Sequence, residues 1–173
     1  PLDQLFADRI AQPIGIADKN WKWGKLAADD GDVVCGAGNH EQLEISSLDL
    51  ARFGLLFLNN GNWSGQQLID ESWVSQATRV QVPADMPLSG YMEKGPGTYG
   101  YNWWINGTGP TGDKKWPDAP PDTYAASGFN NNDMFVIPSW NMVIVRLGTD
   151  ENENKITDEI YNTFLGMIGK AVN

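Results

Sequence analysis

Residues 46–61 restrict the fold more than any other stretch of this sequence. Leu48, Ala51, Leu55 and Leu58 recur at a spacing near 3.6 and line one stripe, which Leu50, Phe53 and Phe57 widen. An apolar stripe that wide predicts a helix buried on most of its sides. Ser46 and Ser47 are N-cap candidates, and Asp49 falls in the first turn, where a carboxylate favours the helix dipole. Asn59-Asn60-Gly61 supplies a left-handed stop.

The flanking elements follow from the same periodicities. Leu2, Leu5, Phe6 and Ile10 predict an opening helix that Pro13 and Gly15 end. Residues 19–42 are rich in Gly, Asp and Trp and read as a long irregular segment. Asp70 can cap a second helix through Trp73, Val74 and Ala77. Residues 83–98 read as a surface loop, Tyr99 to Ile105 as a strand, and 106–123 as a mobile polar stretch. Met134 to Ile137 and Met142 to Val145 are apolar runs around Pro138-Ser139-Trp140-Asn141, which predicts a hairpin of two buried strands. A closing helix over 154–172 places Ile156, Ile160, Phe164 and Ile168 on one face. Helices, then strands, then a helix make an α+β architecture. About three strands form too small a sheet to stand uncovered, so the architecture is incomplete as given.

The 173 residues suffice for one domain with a sizeable core. A net charge of -10, with scattered Lys and Arg, argues against a nucleic-acid partner. No apolar run reaches the roughly 20 residues of a membrane span. No signal segment opens the chain. It begins at Pro1 rather than Met, so an upstream part is expected outside it. Cys35 is alone and reads as a small buried residue. His40 reads as a loop residue with a structural hydrogen bond, because no Gly-x-Ser-x-Gly elbow accompanies it. One His and one Cys cannot make the usual zinc sets, and Asp29-Asp30-Gly31-Asp32 lacks the calcium-loop spacing, so no metal or cofactor is expected. No Ser is followed by Lys at the Ser-x-x-Lys spacing. Trp103 and Trp104 are adjacent on the expected strand, so one belongs to the core and the other to a cleft wall.

Two stretches carry a resemblance. Ile45-Ser46-Ser47-Leu48-Asp49-Leu50-Ala51-Arg52-Phe53-Gly54, then Leu58-Asn59-Asn60-Gly61, Gly65 and Trp73, resembles the S-x-x-D-L-A-R-F-G … L-x-x-G-x-W-x-G … W segment of the serine β-lactamase-related hydrolases. That superfamily includes class C β-lactamases, penicillin-binding DD-peptidases and related esterases and amidases. Tyr99-Gly100-Tyr101-Asn102-Trp103-Trp104, Tyr124 to Phe129, Phe135 to Pro138 and Val143 to Gly148 resemble its closing sheet and hairpin. Leu5 to Ile16 is similar to its I-x-x-P-L-G-M segment.

The resemblance implies that residues 1–173 are the C-terminal portion of one β-lactamase/transpeptidase-like domain. Its helical part would be 45–79, its strands 99–148 and its closing helix 154–172. The nucleophilic Ser, its Lys and a Tyr would lie before Pro1, in an N-terminal half that packs on this chain. The family's Lys-Thr-Gly falls at Ala126-Ser127-Gly128. Ala126 replaces a cationic or imidazole side chain, which leans away from β-lactams toward other esters or amides, or a peptide. The Phe129 backbone N–H would donate to the oxyanion, a role typically worth about 3 kcal/mol. Gly128 would let the substrate approach, and Ala126, Ser127, Trp103 and Trp104 would line the substrate site. The resemblance also implies a periplasmic or secreted protein. Two alternatives stay open: a non-catalytic Trp-rich module that binds carbohydrate or peptide, and a degenerate hydrolase-like protein.

Overall fold

A computed structural model describes residues 1–25, 41–87, 94–150 and 155–172. Cys35, His40 and residues 29–32 lie outside the described residues. Helix α1 (Leu2–Phe6) continues into a wider turn over Ala7–Ala11. Ala11, Ile14 and Ile16 then bury against Leu56, with Phe6, Trp21 and Ile45 around them.

The stretch expected to be irregular, 19–42, contains one strand and the start of a second. β1 (Trp21–Lys25) pairs antiparallel with β2 (Glu41–Ile45). The signal was an alternation too short to register. Trp21 and Trp23 both meet the Phe6 ring edge-on, while Lys22 between them pairs with Glu44 at 3.0 Å.

Helix α2 (Ser47–Leu58) begins and ends where its caps require. The Asp49 N–H donates to Ser46 Oγ, and Asn59 closes the last turn. Its buried face differs from the expected stripe. Gly54, Leu56 and Phe57 are buried, whereas Leu48 is 65% exposed and Leu55 40%. The helix lies across β7 (Asn132–Ile137) and β8 (Met142–Arg146), and Gly54 marks the crossing. A Cβ at Gly54 would sit 2.6 Å from Val143 Cγ1 and 2.7 Å from Met134 Sδ.

A small hairpin, β3 (Asn62–Trp63) with β4 (Gln66–Gln67), leads to α3 (Glu71–Ala77), which Asp70 caps by accepting from the Ser72 N–H. The main sheet is antiparallel in the order β5-β6-β7-β8, with β5 (Trp104–Ile105) and β6 (Tyr124–Gly128) completing it. The strand expected over 99–105 shrinks to two residues, because Asn102 adopts φ 59° and the chain folds back so that Tyr99 bridges to Trp104. The expected hairpin forms as read, with Asn141 left-handed at its turn.

The stretch 106–123 is tied down rather than mobile. Asn106 is buried; its Nδ2 donates to the carbonyls of Trp116, Ala119 and Pro120, and its Oδ1 accepts from the Trp116 N–H. One amide side chain thereby satisfies a loop that composition alone marks as polar.

Helix α4 (Asp158–Val172) covers the face of the sheet opposite α2. Its buried residues are Tyr161, Leu165 and Gly169, one position on from the expected Ile160, Phe164 and Ile168. Gly169 explains the offset, since a Cβ there would meet the Trp140 ring at 2.9 Å. Antiparallel sheets flanked by helices give the α+β class expected from the sequence.

Candidate active-site strand and the cavity behind it

Strand β6 runs through the interior of the main sheet, and its alternation separates two surfaces. Tyr124 and Ala126 belong to the cluster under α2, with Trp103, Met134 and Phe57. Ala125 belongs to the cluster under α4, with Phe135, Ile137 and Leu165. The strand ends in the open: Ser127, Gly128 and Phe129 are exposed, Phe129 by 62%. Gly128 is extended, and a Cβ on it would meet only Asn132 O, at 3.4 Å. The chain's own packing therefore makes little demand for glycine there.

The turn after Phe129 is held from behind. Asn130 and Asn131 have φ of 60° and 52°. Asn132 Nδ2 donates to Phe129 O at 2.7 Å. Arg146 donates to the carbonyls of Asn130 and Asn131, and also to Thr149 O and Asp150 Oδ1, both at 3.0 Å. Asn131 Nδ2 reaches Ile156 O at 3.0 Å and Asp150 as well. Burial pushes the Asp150 carboxyl up, but hydrogen bonds from Asn131 and the Ile156 N–H, with the charge of Arg146, hold it below its ordinary value. The backbone around Phe129 is thus fixed by a guanidinium with four carbonyl or carboxylate partners. Sequence reasoning missed Arg146 and Asp150, whose i, i+4 spacing was the available signal.

The residues expected at the substrate site divide between the two faces. Ala126 and Trp103 lie on the α2 side, with Trp103 buried against Phe57 and Tyr124. Trp104 and Ser127 line a cavity of about 400 Å³ on the α4 side, with Trp116, Lys115, Asp133 and Tyr161. Lys115 Nζ sits 4.3 Å from the Trp104 ring centre and 2.9 Å from Asp158 Oδ2. Burial pushes the Lys115 ammonium below its ordinary value, against the pull of Asp158. Burial raises the Asp133 carboxyl above its own ordinary value, against hydrogen bonds from Ser127 and Tyr161. Among the described residues no cluster of three or more His, Cys, Asp or Glu is arranged to hold a metal. Among them, too, no helix is long and apolar enough to cross a membrane.

No family model matches the chain. An uncharacterised protein of Alkalihalophilus pseudofirmus is 23% identical over 161 residues, covering 91% of this chain and 43% of that protein. The structure of a candidate beta-lactamase from Bacteroides dorei superposes with a TM-score of 0.63 at 17% identity, over 99% of this chain and 51% of that one. A candidate 6-aminohexanoate-dimer hydrolase from Bacillus anthracis gives a TM-score of 0.50 at 24% identity, over 76% of this chain and 29% of that one. The chain therefore shares the fold of β-lactamase-like and 6-aminohexanoate-hydrolase-like structures. It spans about half the length of these relatives or less.

Proposed function

We propose that this chain is the sheet side of a serine hydrolase domain that cleaves an ester or amide through an acyl-enzyme. The observation that carries this reading is the end of β6. Within a fold matched over 99% of the chain, an exposed Gly128-Phe129 step sits on a turn clamped by Arg146. A fixed backbone donor costs no reorganisation when charge develops, which is what an oxyanion hole requires.

In this reading the Phe129 N–H is one donor and the nucleophile's own N–H is the other. The nucleophilic Ser and its Lys belong to a part of the domain outside this chain, which packs against it as a partner. Ala126 leaves no cation on the α2 side of the strand to hold a substrate carboxylate, so the substrate is a neutral ester, amide or peptide rather than a β-lactam. Such an enzyme would work in the periplasm or outside the cell. The distribution of the eight Trp weighs against a Trp-rich binding surface, because only Trp73 is exposed, while Trp103 and Trp116 are buried and the other five half-buried.

The test is p-nitrophenyl acetate hydrolysis by the intact protein. Phe129→Pro removes the N–H and is expected to lower kcat by about 10²–10³. Phe129→Ala keeps the N–H and should lose less than tenfold. Equal losses for the two, with both variants melting cooperatively, would remove the backbone donor from the mechanism.

A further inference from the structure

The cavity behind β6 has a charge opposite to that of the chain. Net charge is -10, yet Lys94, Lys115 and Lys155 all line this one space. Two acids face them. Asp158 is shared between Lys115, at 2.9 Å, and Lys94, at 3.6 Å. Asp133 is buried, and its Oδ1 has no hydrogen-bond partner among the described residues. Three lysines thus face two carboxyl groups, and burial disfavours the charged form of Asp133 and of Lys115 alike.

The site is built rather than superficial. The Lys115 side chain is only 8% exposed and lies between the rings of Trp104 and Trp116. Trp116 is itself buried, and its indole N–H has no acceptor among the described residues. Phe135 and Ile156 add apolar wall. An aromatic-walled space of this size with a few convergent polar groups suits a small ligand.

We propose that this cavity is a second ligand site, on the face of the sheet opposite Ala126, that takes a small aromatic carboxylate. The carboxylate would rest among Lys115, Lys94 and Lys155. The ring would lie along Trp104 and Ile156. Because Ser127 borders the cavity while Ala126 and Gly128 face the other way, the ligand would touch the back of the strand that ends at Phe129. The site stands on its own geometry and does not need the hydrolase reading.

The experiment is binding, followed by fluorine NMR of the intact protein labelled with 5-fluorotryptophan. Trp104→Phe and Trp116→Phe assign the two signals. Sodium benzoate is expected to shift both signals saturably in the low millimolar range, while benzamide and benzylamine give no saturation. Lys115→Met should weaken benzoate at least tenfold. Should that variant melt without cooperativity, the rim variant Lys94→Ala/Lys155→Ala takes its place, with at least threefold weakening expected. No saturation with benzoate, equal binding of benzamide, or full-strength binding by a cooperatively melting variant would overturn the proposal. Hydrolysis is not the readout, so this result is independent of whether the protein acylates.

Discussion

Asp49 sits in the first turn of α2 with almost no contact with solvent. Burial would push its carboxyl up, but hydrogen bonds from Ser46, Asn20 and Arg52 outweigh that, and it titrates below its ordinary value of 3.8. Ser46 Oγ donates to Oδ2 at 2.6 Å and Asn20 Nδ2 donates to the same oxygen at 2.8 Å. A carboxyl whose folded pKa is depressed adds stability that is fully present above its unfolded value and is lost as pH falls through its folded one. Asp49→Asn is therefore expected to cost about 1–3 kcal/mol at pH 7, since buried donors lose a charged acceptor. The gap to the native protein should close as pH drops below about 4. Denaturant melts at pH 7, 5 and 3.5 check this; a gap that does not change with pH would mean that the charge contributes nothing. The cap position was legible in the sequence, because Ser and Asp at the head of an apolar run have a local reason to be there. Asn20 was not, because its partner is 29 residues away.

At the scale of elements, the close crossing of α2 over the sheet depends on Gly54. Glycine inside a helix costs about 1 kcal/mol relative to alanine, so its presence calls for a compensating contact. That contact is the approach to Val143 and Met134, both closer than a Cβ allows. Gly54→Val is expected to lower stability by about 3 kcal/mol or more, by overpacking and by forcing the helix off β7 and β8. Gly54→Ala should cost less, since only Met134 and Val143 side chains have to give. Thermal melts of both variants give the ranking; an unaffected valine variant would place α2 elsewhere. The hairpin of β7 and β8 was readable because two apolar runs flank a turn sequence. β1 and β2 were not, because their pairing joins residues far apart along the chain and their alternation is brief.

For the whole molecule, the notable feature is how much apolar surface stays uncovered. Leu48 and Leu55 on α2, and Ile160, Phe164 and Met167 on α4, are exposed. β8 has no strand on its outer side among the described residues. Apolar groups arranged at helical spacing and an open strand edge are features that partners cover. Under the proposed function, the remainder of the domain covers them. The 173-residue chain by itself is then expected to bind a hydrophobic dye more strongly than the intact protein, and to give no label with a fluorophosphonate probe. Weak dye binding by the isolated chain, or a labelled Ser within it, would contradict that reading.

Sequence alone determined where α2 and the β7–β8 hairpin lie, how α2 and α3 are capped, and that Ser-x-x-Lys is absent from the chain. These are local properties, set by side-chain period and by hydrogen bonds within a turn or two. Tertiary structure decided which side of α2 and α4 is buried, that Asn106 anchors the 106–123 stretch, and which of Trp103 and Trp104, expected on opposite faces, enters the core. Period shows which residues share a face. Which face is covered depends on layers brought together from distant parts of the chain, and that is also why the lysine-lined cavity behind β6 had no signature in the sequence.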